Sequence, residues 1–183
     1  MSRIAIPASI EAAPAASQPL LEAVHKQLGT VPNLFRLVGT SPAGLQGFLG
    51  LHGALGKGAL DAKTRERIAL AVAEINGCGY CLSAHTYLGK NLAKLSDEEI
   101  QANRDGGSTD AKADAAVRFA AELTRHRGHV DADAVRDVQQ AGYSDAQVIE
   151  IIAHVALNTF TNYVNESLKT EIDFPVVQVR AAA

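Results

Sequence analysis

The chain has 183 residues, a formal net charge of −3, and 47% apolar against 20% charged residues. That balance describes a folded globular chain with enough length to bury a real core, and it argues against disorder outside the ends. It leaves no basic footprint for nucleic acid, and the longest apolar runs, IALAVA and VIEIIAHVAL, are too short or too interrupted to span a bilayer.

The opening stretch, MSRIAIPASIEAAPAA, is rich in Ala and Pro and is expected to be extended over residues 1–16. It lacks a continuous apolar segment, so no signal peptide is read and the expected location is the cytoplasm. The first helix signal is Ser41-Pro42, followed by Leu45, Phe48, Leu49 and Leu55 at helical spacing. Asp61 can cap the next helix, which carries Ile68, Leu70, Val72 and Ile75 and breaks at Asn76-Gly77. Another begins near Cys78 and runs through Leu88 and Leu92. Ser96 to Glu99 has the spacing of a capping box for a short helix. Asp110 to Arg127, with Ala116, Phe119, Ala120 and Leu123, reads as a longer one, and Asp131 to Ala141 as a further one stopped by Gly142. Ser144 to Gln147 is a second capping box, opening VIEIIAHVALNTF. From residue 172 the chain is read as a tail without a helical pattern. The fold class is therefore all-α, in one domain over residues 1–183.

Shifted by 84 residues, LDAKTRERIALAVAEINGCGYC (60–81) lies against SDAQVIEIIAHVALNTFTNYVN (144–165). Asp61, Ala62, Glu66, Ile68 and Ala69 then face Asp145, Ala146, Glu150, Ile152 and Ala153. The match raises an internal duplication of a helical hairpin, in which Asn162 and Asn165 stand where Cys78 and Cys81 stand, and the second half gives structural support.

The stretch NGCGYCLSAH (76–85) holds the two cysteines of the chain, three residues apart, with His85 four residues beyond the second. On a helical wheel Cys78, Cys81 and His85 fall within roughly 60° of one another. A thiol attacks only as its thiolate. The helix start at the Gly77 break favours negative charge, and His85 is one turn away as a base. Glu66 is the candidate to orient that imidazole if the two helices fold back as a hairpin, with Glu74 as the competing carboxylate. Two other readings stay open: a zinc site built on Cys78, Cys81 and His85 with a fourth ligand, and two buried cysteines acting as small hydrophobes. His25 and His52 read as surface or satisfied core residues, His126 and His129 as the end of a helix, and His154 as a core histidine with a backbone partner.

The run from Thr64-Arg-Glu66 through IALAVAEINGCGYCLSAHTYLG resembles the alkyl hydroperoxidase D-like family, within the carboxymuconolactone decarboxylase-like superfamily. The shared pattern is a glutamate, Cys-x-x-Cys twelve residues on, and a histidine four residues after the second cysteine. VPNLFRLVGTSP (31–42) and NESLKTEIDFP (165–175) are similar to its peroxidase-related branch. The resemblance implies that Cys81 attacks a hydroperoxide, that His85 and Glu66 relay its proton, and that Cys78 resolves the product as a disulfide. It also implies that no cofactor is bound, that an external dithiol supplies electrons (a lipoyl-bearing protein in known members), and that the chain assembles as a homo-oligomer, a trimer or hexamer. The superfamily's decarboxylase or lactone-processing members do not depend on a cysteine pair, so the two thiols argue against that activity. Known peroxidase members can place a histidine immediately before the second cysteine, where this chain has Tyr80, read as a packing or pocket-wall residue. From a different class, a disulfide reductase or redox sensor would use the same dithiol without peroxidase turnover.

Overall fold

The computed structural model describes residues 2–180. Among these residues the regular elements are nine α-helices and one 3-10 turn, with no strand: α1 (Gln18–Leu28), α2 (Asn33–Val38), α3 (Pro42–Leu55), α4 (Ala62–Ile75), α5 (Gly79–Asn91), α6 (Asp97–Arg104), α7 (Ala111–Arg125), α8 (Ala132–Gln140) and α9 (Asp145–Leu168). The chain is all-α, and the helices from α3 onward lie where the periodicity puts them.

Helix α4 is the hub. It packs against α5, α6, α7 and α9, and its residues Ile68 to Ala73 are all buried. A helix apolar on nearly every side is stable only when covered all round. Asp61 caps it, accepting the Thr64 N–H at 3.0 Å. One apolar cluster lies between α4, α7, α8 and α9, around Ile68, Val72, Phe119, Val138 and Ile151. A second gathers α1, α2, α3 and the start of α5 around Leu21, Leu45, Phe48, Leu82 and both cysteines.

Helices α1 and α2 lie outside the sequence expectation. The sequence pattern assigns no element between residues 17 and 40, where Pro19 lies in the first turn of α1 and Pro32 just before α2, places in which proline is compatible with helix. Leu21 and Val24 on α1, and Leu34, Leu37 and Val38 on α2, are the buried faces that hold them.

The duplicated hairpin is not found. Residues 145–168 form one unbroken 24-residue helix, whereas 62–91 bend at Gly77, whose φ of +67° only glycine adopts without strain. Thr161 occupies the matching position in α9, and the helix runs on through it. The caps are also out of step, since Asp61 caps α4 while Ser144, one residue earlier in the alignment, caps α9.

Of the expected tail, residues 172–180 pack along one side, and residues 181–183 lie outside the described residues. Ile172, Phe174, Val177 and Val179 sit against the second cluster, and the Val177 N–H donates to Ser83 Oγ at 2.9 Å. The segment therefore lies along α5, beside the cysteine pair.

Candidate active site

The bend between α4 and α5 builds the site. Gly77 in its left-handed conformation lets the Cys78 N–H return to the Ala73 carbonyl at 2.9 Å, closing α4. Cys78 is also the N-cap of α5, its sulfur accepting the Cys81 N–H at 3.3 Å. One residue thus ends one helix and opens the next, and this fixes both sulfurs at the positive end of α5. Cys78 is fully buried and Cys81 is 3% exposed.

Antiparallel packing of α4 and α5 returns Glu66 to the level of His85. Its Oε2 lies 2.9 Å from His85 Nδ1, so the pairing expected from spacing is present. Both side chains keep about a fifth of their surface, at 22% each, and they form the partly open edge of an otherwise closed site. Glu74 does not compete. It accepts from Arg104 Nε at 2.6 Å and from the Arg180 N–H at 2.7 Å, which ties α4 to α6 and to the C-terminal segment.

The two thiols are electrostatically unlike. The hydrogen bond to Cys81, together with burial, pushes the Cys78 thiol far above its ordinary range. Cys81 is pulled down to about 6, chiefly by the Cys78 thiol; burial opposes this, and the His85 charge, Asn165 and Asn162 assist. Burial works against a charged His85, but the charge and hydrogen bond of Glu66, and then Cys81, outweigh it and raise the imidazole above its usual value. Negative charge on Cys81 and positive charge on His85 thus favour each other through space.

Helix α9 supplies the far wall, which the spacing argument did not reach. Asn165 Nδ2 donates to Cys81 Sγ at 3.2 Å, and Thr161 Oγ1 lies 3.9 Å from the same sulfur. Asn162 Oδ1 accepts from Asn76 Nδ2 at 2.8 Å, tying the bend to α9. The signal was available: His154, Asn158, Thr161, Asn162 and Asn165 recur at three- and four-residue spacing in an otherwise apolar helix, and all are buried.

One histidine differs from expectation. His154 Nε2 is buried without a partner, where a backbone partner was expected, and burial, then Arg65, lowers its pKa to about 4, so it is neutral. His52 lies exposed on α3, in line with the surface reading, its ring 6.0 Å from Phe48. Among the described residues no three His, Cys, Asp or Glu side chains converge as metal ligands.

Tyr80 fills a structural place. Its hydroxyl donates to Asp173 Oδ1 at 2.8 Å and accepts the Leu34 N–H at 3.2 Å, while its ring meets Phe174 edge-on. Asp173 also accepts the Asn33 N–H at 2.7 Å, so one tyrosine joins α5, α2 and the C-terminal segment. Burial raises its pKa, which keeps the phenol protonated. Tyr80→Phe should cost roughly 1–3 kcal/mol in urea unfolding, since it strands buried partners, and should leave the pH profile of Cys81 alkylation in place. A displaced profile with unchanged stability would give Tyr80 a chemical role instead.

Residues 42–126 match the model of the Carboxymuconolactone decarboxylase family. No curated protein gives a significant match. Among solved structures, a peroxidase-related protein from Ralstonia eutropha JMP134, described as an alkylhydroperoxidase AhpD core, has a TM-score of 0.83 at 23% identity, covering 94% of this chain and 92% of that one. A peroxidase-related protein from Silicibacter sp. TM1040 gives 0.80 at 23% identity, covering 93% and 91%. The debrominase Bmp8 gives 0.72 at 22% identity, covering 87% of each chain, and a cysteine-to-alanine form of it is a complex with 2,3,4-tribromopyrrole. The shared architecture is the alkyl hydroperoxidase D-like fold. Among the described residues no helix is long and apolar enough to cross a membrane.

Proposed function

We propose that this chain, alkyl hydroperoxidase D-like in fold and matched over residues 42–126 by the decarboxylase family model, is a thiol-dependent peroxidase that reduces hydroperoxides through Cys81 and Cys78. The observation that carries the reading is the geometry around the two sulfurs: Cys78 Sγ accepts the Cys81 N–H at the start of α5, Asn165 Nδ2 donates to Cys81 Sγ, and Glu66 holds His85 one turn away, an arrangement that favours negative charge on Cys81 over Cys78. The names of the Ralstonia and Silicibacter neighbours agree with a peroxidase-related role.

In this reading the Cys81 thiolate attacks the terminal oxygen of R–O–O–H. An S–O bond forms, the O–O bond breaks, and sulfur loses the two electrons that the peroxide gains. The departing RO⁻ takes a proton from the His85 imidazolium, which Glu66 holds in place, and leaves as ROH. Cys78 then attacks the sulfenic acid. The S–S bond forms, and the hydroxyl leaves as water with the thiol proton. An external dithiol restores both thiols by exchange and is itself oxidised to a disulfide. A lipoyl-type donor and a homo-oligomeric assembly belong to this proposal.

The test is hydroperoxide consumption by the reduced protein with a small dithiol, with cumene hydroperoxide and hydrogen peroxide as substrates. The expected result is one disulfide of donor formed per peroxide consumed. A protein whose Cys78–Cys81 disulfide cycles readily with dithiols, but which leaves peroxide untouched, is a disulfide reductase or redox sensor. The debrominase gives a second reading, because the same two electrons could cleave a carbon–bromine bond. A brominated pyrrole in the same assay, with bromide release as readout, separates it.

A further inference from the structure

Asn162 and Asn165 each make one hydrogen bond and leave one polar atom buried without a partner. Asn162 Oδ1 is engaged by Asn76, and its Nδ2 is free; Asn165 Nδ2 is engaged by Cys81, and its Oδ1 is free. Asn162 and Asn165 are 1% and 2% exposed, so both amides are held away from bulk solvent. A stranded buried amide atom is costly. Apolar side chains of similar size would fill the same space without that cost, so packing alone does not account for two carboxamides here. Both also act on one sulfur, since each lowers the pKa of Cys81. Beside Cys81 there is therefore one unfilled donor and one unfilled acceptor.

That pair is complementary to a single small group. A sulfenic acid, S–O–H, has one oxygen to accept and one hydrogen to donate. We propose that Asn162 and Asn165 are a carboxamide cradle for Cys81: Asn165 Nδ2 holds the thiolate before reaction, and Asn162 Nδ2 and Asn165 Oδ1 take the oxygen and the hydrogen of the sulfenic acid afterwards. The second half rests on the peroxidase reading, whereas the first rests on the contacts of the reduced site. The cradle would hold the oxidised sulfur until Cys78 reaches it and shield it from a second peroxide.

Two measurements test the halves separately. In the reduced protein, Asn165→Leu should lower the rate of Cys81 alkylation by iodoacetamide at pH 6 by about tenfold, the loss of one hydrogen bond to a charged group, with the alkaline plateau unchanged. Asn165→Ser, which is smaller, should fall in the same direction and covers the case in which leucine does not fit. A Cys81 profile unchanged in both variants overturns the thiolate role. In a Cys78→Ser background given one equivalent of hydrogen peroxide, the sulfenic acid on Cys81 is followed by mass spectrometry. Adding Asn162→Leu should shorten its lifetime by about tenfold and increase sulfinic acid. An unchanged lifetime overturns the cradle while leaving the peroxidase intact. If the parent forms no sulfenic acid, the peroxidase reading falls together with this half of the cradle, and the alkylation profile still decides the other.

Discussion

Cys81→Ser should remove hydroperoxide turnover to background, a loss of at least about a thousandfold, because a serine hydroxyl beside His85 stays protonated where the thiol does not. With its pKa at about 6, Cys81 is roughly nine-tenths thiolate at pH 7, and the active fraction should fall away below pH 6. Cys78→Ser should behave differently. It should consume about one equivalent of peroxide and stall, since nothing remains to displace the hydroxyl from Cys81. It should also slow the first step somewhat, because the Cys78 thiol is the largest influence holding the Cys81 charge. The two variants thus read one claim from opposite sides. A stoichiometric burst in Cys81→Ser, with none in Cys78→Ser, would reverse the assignment of attacking and resolving sulfur. Bursts in neither would remove both from the chemistry.

How much of this site was legible in the sequence depends on how each part is held. Glu66, Cys78, Cys81 and His85 belong to two helices joined by a two-residue bend, so helical periodicity and one glycine suffice to bring them together. Asn162 and Asn165 come from a helix about 80 residues away (84 residues separate Asn165 from Cys81). Their position depends on how α9 packs against the hub, which no local pattern states. The 84-residue alignment did set Asn165 against Cys81, but as a counterpart in a repeat; the two residues are in fact in contact. The same limit explains Glu74, which was a reasonable candidate until Arg104 on α6 and the backbone of Arg180 were seen to claim both its oxygens. Helices α1 and α2 were missed for another reason. Their polar and proline-marked starts resemble loop, and burial of a few leucines and valines against the rest of the fold overrides that local signal.

At Glu99 only half of the expected capping box forms, the Ser96 cap, because the carboxylate has a larger role, and its removal should have the largest effect on stability. Ser96 Oγ accepts the Glu99 N–H at 3.1 Å, as a capping box requires. The carboxylate does not reciprocate. It turns inward and accepts from Arg67 Nε at 2.7 Å, Asn103 Nδ2 at 2.9 Å, Ser108 Oγ at 2.5 Å, the Thr109 N–H at 2.8 Å and the Thr109 hydroxyl. One 3%-exposed carboxylate therefore locks α4, α6 and the loop leading to α7. Burial alone would raise its pKa, but the bonds from Ser108, Thr109 and Asn103 outweigh this and bring it down to about 2. A depressed carboxylate stabilises the fold above its unfolded pKa near 4.5, and that contribution fades as pH falls toward 2. Glu99→Ala at pH 7 leaves the Arg67 guanidinium, 11% exposed, without its partner. Breaking a buried pair from one side costs roughly 3–5 kcal/mol, read as a lower urea midpoint and a melting temperature reduced by about 10 °C. Glu99→Gln keeps the shape and some of the bonds, so it should lose less than the alanine while still losing the charge. The two variants should converge on the wild type as the pH drops below 4, because the carboxylate they lack is being neutralised there. A loss under about 1 kcal/mol at pH 7, the range of an exposed pair, would mean that Arg67 finds water or another acceptor and that the lock between α4 and α6 is not held by this residue.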